Sequence, residues 1–124
     1  MISRFPKVVV KQLPDAVTAE QWRALTTELS SMMDSDRPGV VLECSRVRQF
    51  NTPAACFLLS CLECAMKRNG DVRLAGVSAE AKASLQLTGI EGLFRIFNST
   101  QEAEISFRRD RYETLPDPIG VDLQ

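Results

Sequence analysis

A chain of 124 residues with a net charge of −1 and no histidine is long enough to bury one core, and it sets up no global field toward nucleic acid or an anionic membrane. It contains no apolar run approaching the ~18 residues of a membrane span, and its opening Met1-Ile2-Ser3-Arg4-Phe5-Pro6 lacks the apolar stretch of a signal peptide. The expectation is a cytoplasmic protein that neither binds nucleic acid nor inserts into a membrane, with the basic pair Arg108-Arg109 on a solvated face.

The first element is a strand, since Val8-Val9-Val10 with Leu13 is rich in β-branched residues. Pro14-Asp15 then turns the chain. Thr18 and Gln21 have the spacing of a capping box, and Trp22, Leu25, Leu29 and Met32 recur at helical intervals, which predicts a helix from about Thr18 to Met33 with Glu20, Arg23, Thr27 and Glu28 facing water. The polar cluster from Asp34 to Pro38 leads into a largely buried strand, Gly39 to Cys44.

The junction Val47 to Ala55 closes that strand and opens a second helix. Thr52 is expected as its N-cap with Pro53 at the first helical position, where a missing N–H costs nothing. The helix is predicted from Pro53 to about Arg68, with Asn69-Gly70 as a left-handed stop and Lys67 and Arg68 complementing the dipole. It is apolar nearly all round, so it must be covered on more than one side, by the sheet and other helices or by a partner. A phosphate on Thr52 would place about −1.5 to −2 charges at this end, where helix polarity and orphan amides favour an anion.

Three of the four cysteines, Cys56, Cys61 and Cys64, fall on that helix, with Cys44 before it. Cys61 and Cys64 form C-x-x-C in mid-helix, with neither a second pair nor a histidine for zinc, and neither thiol at a helix N-terminus where a redox cysteine would sit. All four are expected to pack as small apolar residues, and no metal or cofactor is expected.

Asp71 to Val77 alternates over its first half and predicts a strand buried chiefly on one face. Ser78 caps a short helix through Leu87 that Gly89 ends, and Phe94-Arg95-Ile96-Phe97 is a last short strand. Ser99 and Glu102 have capping-box spacing and begin a helix reaching Phe107 or beyond. After Asp110 the composition shifts to a Pro-containing stretch without a period, so residues 1–110 are expected as one domain and 111–124 as a tail, loosely ordered or docked on a partner. The alternation of strands and helices predicts an α/β fold, a mostly parallel four- to five-stranded sheet covered by about four helices.

An enzyme is not indicated. Gly-rich phosphate loops, acid–base histidines and paired metal ligands are all missing from the sequence. Asp15, Glu43 and Asp71 are isolated acids that solvation or capping explains, and Trp22 is expected in the core.

The order of elements, the Leu13-Pro14-Asp15-Ala16-Val17-Thr18-Ala19 entry to the first helix, Ser45-Arg46-Val47 after the buried strand, the Asn51-Thr52 helix start, and Leu74 to Ser78 continuing to Leu85-Gln86-Leu87-Thr88-Gly89-Ile90-Glu91-Gly92-Leu93-Phe94 together resemble a STAS domain over about residues 7–108. That is the fold of bacterial anti-sigma-factor antagonists and of sulfate-transporter tails. The resemblance implies transcription regulation by a switchable binding module. The unmodified protein would bind an anti-sigma factor that is a serine/threonine kinase, phosphorylation of Thr52 would release it, and a phosphatase would reset it. Asn51, Thr52, Pro53, Ala54 and Ala55 would form the partner-binding surface, the protein being a monomer or homodimer. The family pattern has Asp where Asn51 stands, a second hydroxyl where Pro53 stands and Gly where Ala54 stands. The alternative is an accessory subunit that binds an ABC transporter ATPase or a signalling scaffold without phosphorylation.

Overall fold

The β-branched opening run forms β1 (Val8–Gln12), and the chain continues through α1 (Ala19–Met32), β2 (Gly39–Glu43), α2 (Thr52–Met66), β3 (Asp71–Ala75), α3 (Ala79–Thr88), a single 3₁₀ turn (Glu91–Leu93), β4 (Ile96–Phe97) and α4 (Thr100–Thr114). The computed structural model describes residues 8–15 and 18–114, with side-chain surroundings through Arg109. Within these, four parallel strands lie in the order β1-β2-β3-β4, with Val10 opposite Val41, Val41 opposite Arg73, and Ala75 opposite Phe97.

Sequential order decides where the helices go. Each crossover steps to the next strand in the same direction, so right-handed connections place α1, α2 and α3 on one face of the sheet. That face carries the main core, in which Trp22 and Leu29 of α1, Phe57, Leu58 and Cys61 of α2, and Ala81 and Leu85 of α3 close over Val40, Leu42, Val72 and Leu74. The opposite face would be left wet, and α4 turns back to cover it, setting Ala103 and Phe107 against Val41 and Ala75.

This second layer corrects the reading of β3 as buried chiefly on one face. Val72 through Ala75 are all buried, and Arg73 is only 5% exposed beneath α4. Its Nε donates to Asp71 Oδ2 at 3.1 Å, a second guanidinium nitrogen donates to Ser106 Oγ at 2.7 Å, and its guanidinium carbon lies 3.9 Å from the centre of the Phe107 ring. The alternation predicts a polar face turned to solvent, whereas the fold encloses its polar residue and supplies it with partners.

Local signals hold at most helix ends. Thr18 and Gln21 make both halves of the capping box on α1, and Ser78 caps α3 by accepting from Ala81 N. Ser99 Oγ accepts from Glu102 N at the start of α4. At the end of α1 the buried methionine is the C-cap Met33, 1% exposed, while Met32 is 42% exposed, because the i+4 step from Leu29 lands nearer the core than the i+3 step. The left-handed position after α2 belongs to Asn69, at φ 64°. Gly70 is needed for another reason, since a Cβ there would collide with the Pro38 backbone oxygen. Lys67 is the C-cap of α2 and Arg68 lies past its end, pairing with Asp34 at 3.0 Å. β3 stops at Ala75 because Gly76 takes φ +69°. α4 continues past Asp110 to Thr114, and the rest of the expected tail lies outside the described residues.

Candidate functional site at the start of the second helix

β2 ends at Glu43, and the segment that follows is tied down before it reaches α2. Glu43 Oε1 accepts from Ser45 Oγ at 2.8 Å and its Oε2 from Ser45 N at 3.2 Å. Val47 and Phe50 are buried in the main core, and Phe50 N donates to Ser84 Oγ at 2.8 Å. The intervening Arg46, Arg48 and Gln49 are exposed. Buried residues thus anchor the loop at both ends while its polar side chains face out.

The helix start differs by one residue from the sequence expectation. Asn51 is the N-cap, at φ −85° and ψ −178°, and its Oδ1 accepts from Ala54 N at 3.0 Å. Thr52 is the first helical residue and Pro53 the second. Asparagine competes better than threonine for an N-cap, which accounts for the shift. Freed from capping, Thr52 is exposed.

The structure brings together only part of the expected contact set. Asn51 and Thr52 are exposed and Pro53 is half-buried. Ala54 and Ala55 are 2% and 8% exposed and face inward, so they support the surface from beneath and are not presented to a partner. Sequence reading missed the surface's other half. Thr52 and Pro53 share a groove of about 330 Å³ with Trp22, Arg23 and Thr26 of α1 and Cys56 of α2. Its floor is the Trp22–Phe57 pair, with ring centroids 4.7 Å apart and planes inclined at 35°. The helical periods of α1 and α2 could have suggested this, because Arg23 and Thr26 share a face, as do Thr52 and Cys56.

Cys56 is exposed and Cys64 half-buried, so the expectation that all four cysteines pack inside holds only for Cys44 and Cys61. Burial pushes the Cys44 thiol up to about 12, helped by the neighbouring Glu43 charge and partly opposed by a hydrogen bond with the Ala75 backbone. Burial, with a smaller contribution from Cys64, raises Cys61 likewise to about 12. Both are held as neutral thiols. Among the described residues no group of three or more potential ligands is placed to hold a metal ion, and no helix is long and apolar enough to cross a membrane.

Comparisons agree with this architecture. The family model described as Mlab, STAS domain matches residues 5–96. A STAS-domain anti-sigma-factor antagonist from Planctomyces limnophilus superposes with a TM-score of 0.70 at 17% identity, covering 80% of this chain and 89% of that one. A candidate anti-sigma factor antagonist from Thermotoga maritima gives 0.66 at 16% identity, covering 82% and 88%. A sulfate transporter family protein from Wolinella succinogenes gives 0.64 at 21% identity, covering 86% and 88%. A comparison with curated proteins finds no match.

Proposed function

Because the chain belongs to the STAS domain family, whose members are in general regulatory binding modules and not enzymes, we propose that it is an anti-sigma-factor antagonist acting through the surface around Thr52. The observation that carries this reading is the exposed side chain of Thr52 at the first residue of α2, on the rim of a preformed groove. In the unmodified state the protein docks on an anti-sigma factor that is also a serine/threonine kinase. The kinase moves the γ-phosphoryl of ATP to the Thr52 oxygen, ADP leaves, and a dianion now occupies the docking surface. Desolvating that charge at a closed contact is costly, and a loss of only ~1.4 kcal/mol weakens binding tenfold.

A second reading has its own support at the same helix end. Of the first three helical residues, Pro53 has no amide hydrogen and the Ala54 amide is already taken by Asn51. A phosphate on Thr52 would therefore meet fewer free backbone donors than at an ordinary helix start. That favours an accessory subunit which holds a partner constitutively, such as an ABC transporter ATPase or a signalling scaffold.

The two readings separate in one experiment, in which the protein is incubated with ATP and the kinases of its own cell and weighed by mass spectrometry. The antagonist reading expects a gain of ~80 Da, the size of one phosphoryl group, mapped to Thr52 and lost in Thr52→Ala. An unchanged mass, with partner binding intact, assigns the protein to the accessory class.

A further inference from the structure

Asn69-Gly70, between α2 and β3, is the single Asn-Gly pair of the chain. In such a pair the asparagine side chain is most open to attack by its own main chain, because glycine has no side chain to hinder the approach and its backbone turns freely. The Gly70 nitrogen gives up its proton to solvent base and bonds to Asn69 Cγ. The Cγ–Nδ2 bond breaks, Nδ2 leaves as ammonia, and water opens the resulting succinimide at either carbonyl. One product is aspartate. The other is isoaspartate, whose main chain passes through Cβ and is longer by a methylene.

The turn leaves this side chain available and withholds the nucleophile. Asn69 is exposed, and its side-chain amide makes no hydrogen bond among the described residues. Gly70 N, however, donates to Ala65 O at 2.8 Å, and Asn69 N donates to Met66 O at 3.0 Å, which holds Asn69 at φ 64°. Swinging the Gly70 nitrogen toward Cγ turns the peptide between the two residues, and Pro38 stands in the way. Its backbone oxygen occupies the place a Gly70 Cβ would take and accepts from Asp71 N at 3.0 Å. Arg37 N donates to Arg68 O at 2.8 Å and ties the same turn to the loop before β2. We propose that Asn69 is a site of spontaneous modification gated by these main-chain bonds, and that isoaspartate there makes the opening of the turn irreversible. The added methylene falls just before Asp71, which lies opposite Gly39 and starts the β2–β3 ladder. A chain lengthened at that point cannot close onto Ala65 and Pro38 at once. Local opening, otherwise reversible, becomes a one-way step, and the lifetime of the folded protein is a rate that this turn sets.

The full chain is aged at mildly alkaline pH, folded and in guanidinium chloride. Loss of the Asn69 amide is followed by peptide mass spectrometry, and isoaspartate is marked with an isoaspartyl methyltransferase. A turn that opens at a cost above ~1.4 kcal/mol slows the reaction more than tenfold relative to the unfolded chain. Protease added to the aged folded sample should then digest the isoaspartate chains and spare the unmodified ones. Asn69→Asp, with a carboxylate on a main chain of normal length, should resist protease as the wild type does, and Asn69→Gly, which lacks the reacting amide, should stay resistant throughout ageing. Equal rates in the folded and unfolded chains overturn the gate. Isoaspartate chains as resistant as the unmodified ones overturn the one-way step.

Discussion

Asn51 Oδ1 accepts the amide of Ala54 at 3.0 Å, so the residue before Thr52 closes the first turn of α2 and Thr52 stands clear of that duty. The capping and switching roles, assigned to one side chain from sequence, are thereby divided between neighbours. Asn51→Ala is expected to cost about 1 kcal/mol of stability, the usual worth of an N-cap, while Thr52→Ala costs under about 0.5 kcal/mol as an exposed substitution. Urea denaturation of the two variants checks the ranking; a larger loss for Thr52→Ala would return the cap to that residue.

Replacing Thr52 by Asp places a negative charge in the first turn of α2, where the helix dipole tolerates or favours it. Far-UV circular dichroism and the melting midpoint should therefore match wild type, while affinity for the docked partner falls at least several-fold. Titration calorimetry with the partner reads this directly, and equal affinities would remove Thr52 from the contact.

The periodic elements were legible because burial and local capping agree in them. Thr18 with Gln21 and Ser78 ahead of Ala79 announce helices that form as expected, and alternating strands and helices give the parallel sheet. What escaped depends on contacts between distant residues. Arg73 looks like a solvent-facing position until α4 folds across it and supplies Ser106 and Phe107 from more than 30 residues away. The groove beside Thr52 is likewise shared by two helices, and no single stretch of sequence displays it. At the helix start the error was one residue, because Asn, Thr and Pro in succession offer two acceptable caps.

Ser106 Oγ accepts from Arg73 and donates to Ala103 O at 2.6 Å, within a buried contact between β3 and α4. Ser106→Ala removes an acceptor from an enclosed guanidinium and is expected to cost about 1–3 kcal/mol. Replacing the pair together, with Arg73→Met and Ser106→Ala, should cost less than the sum of the single changes, since no stranded donor remains. A double-mutant cycle in urea measures the coupling; strict additivity would show that the hydroxyl does not bear on the charge.

Gly70 tests close approach as distinct from backbone conformation. A methyl group there meets the backbone oxygen of Pro38 and the edge of its ring, and the amides of Gly70 and Asp71 are bonded to Ala65 O and Pro38 O at 2.8 and 3.0 Å, which fixes the position from both sides. Gly70→Ala must therefore displace main chain between α2 and β3, at a cost of about 2–4 kcal/mol. Asn69→Gly relieves the left-handed residue instead and should be neutral or slightly stabilising. Equal effects at the two positions would mean that the turn can shift freely.

The two buried thiols make stability depend on alkaline pH. Cys44 and Cys61 sit near 12 when folded against an ordinary 9.0, so the folded state holds these protons more tightly than the unfolded chain does. Their contribution is fully present below pH 9.0 and is lost as pH rises from there toward about 12. Cys44→Ala and Cys61→Ala leave small cavities and lower stability at neutral pH, yet they should flatten its decline over the alkaline window. Cys56→Ala, at an exposed position, serves as the control and should follow the wild-type slope. Urea midpoints measured from pH 7 to pH 10.5 distinguish slope from level, and parallel curves for all four proteins would show that neither buried thiol governs the alkaline loss.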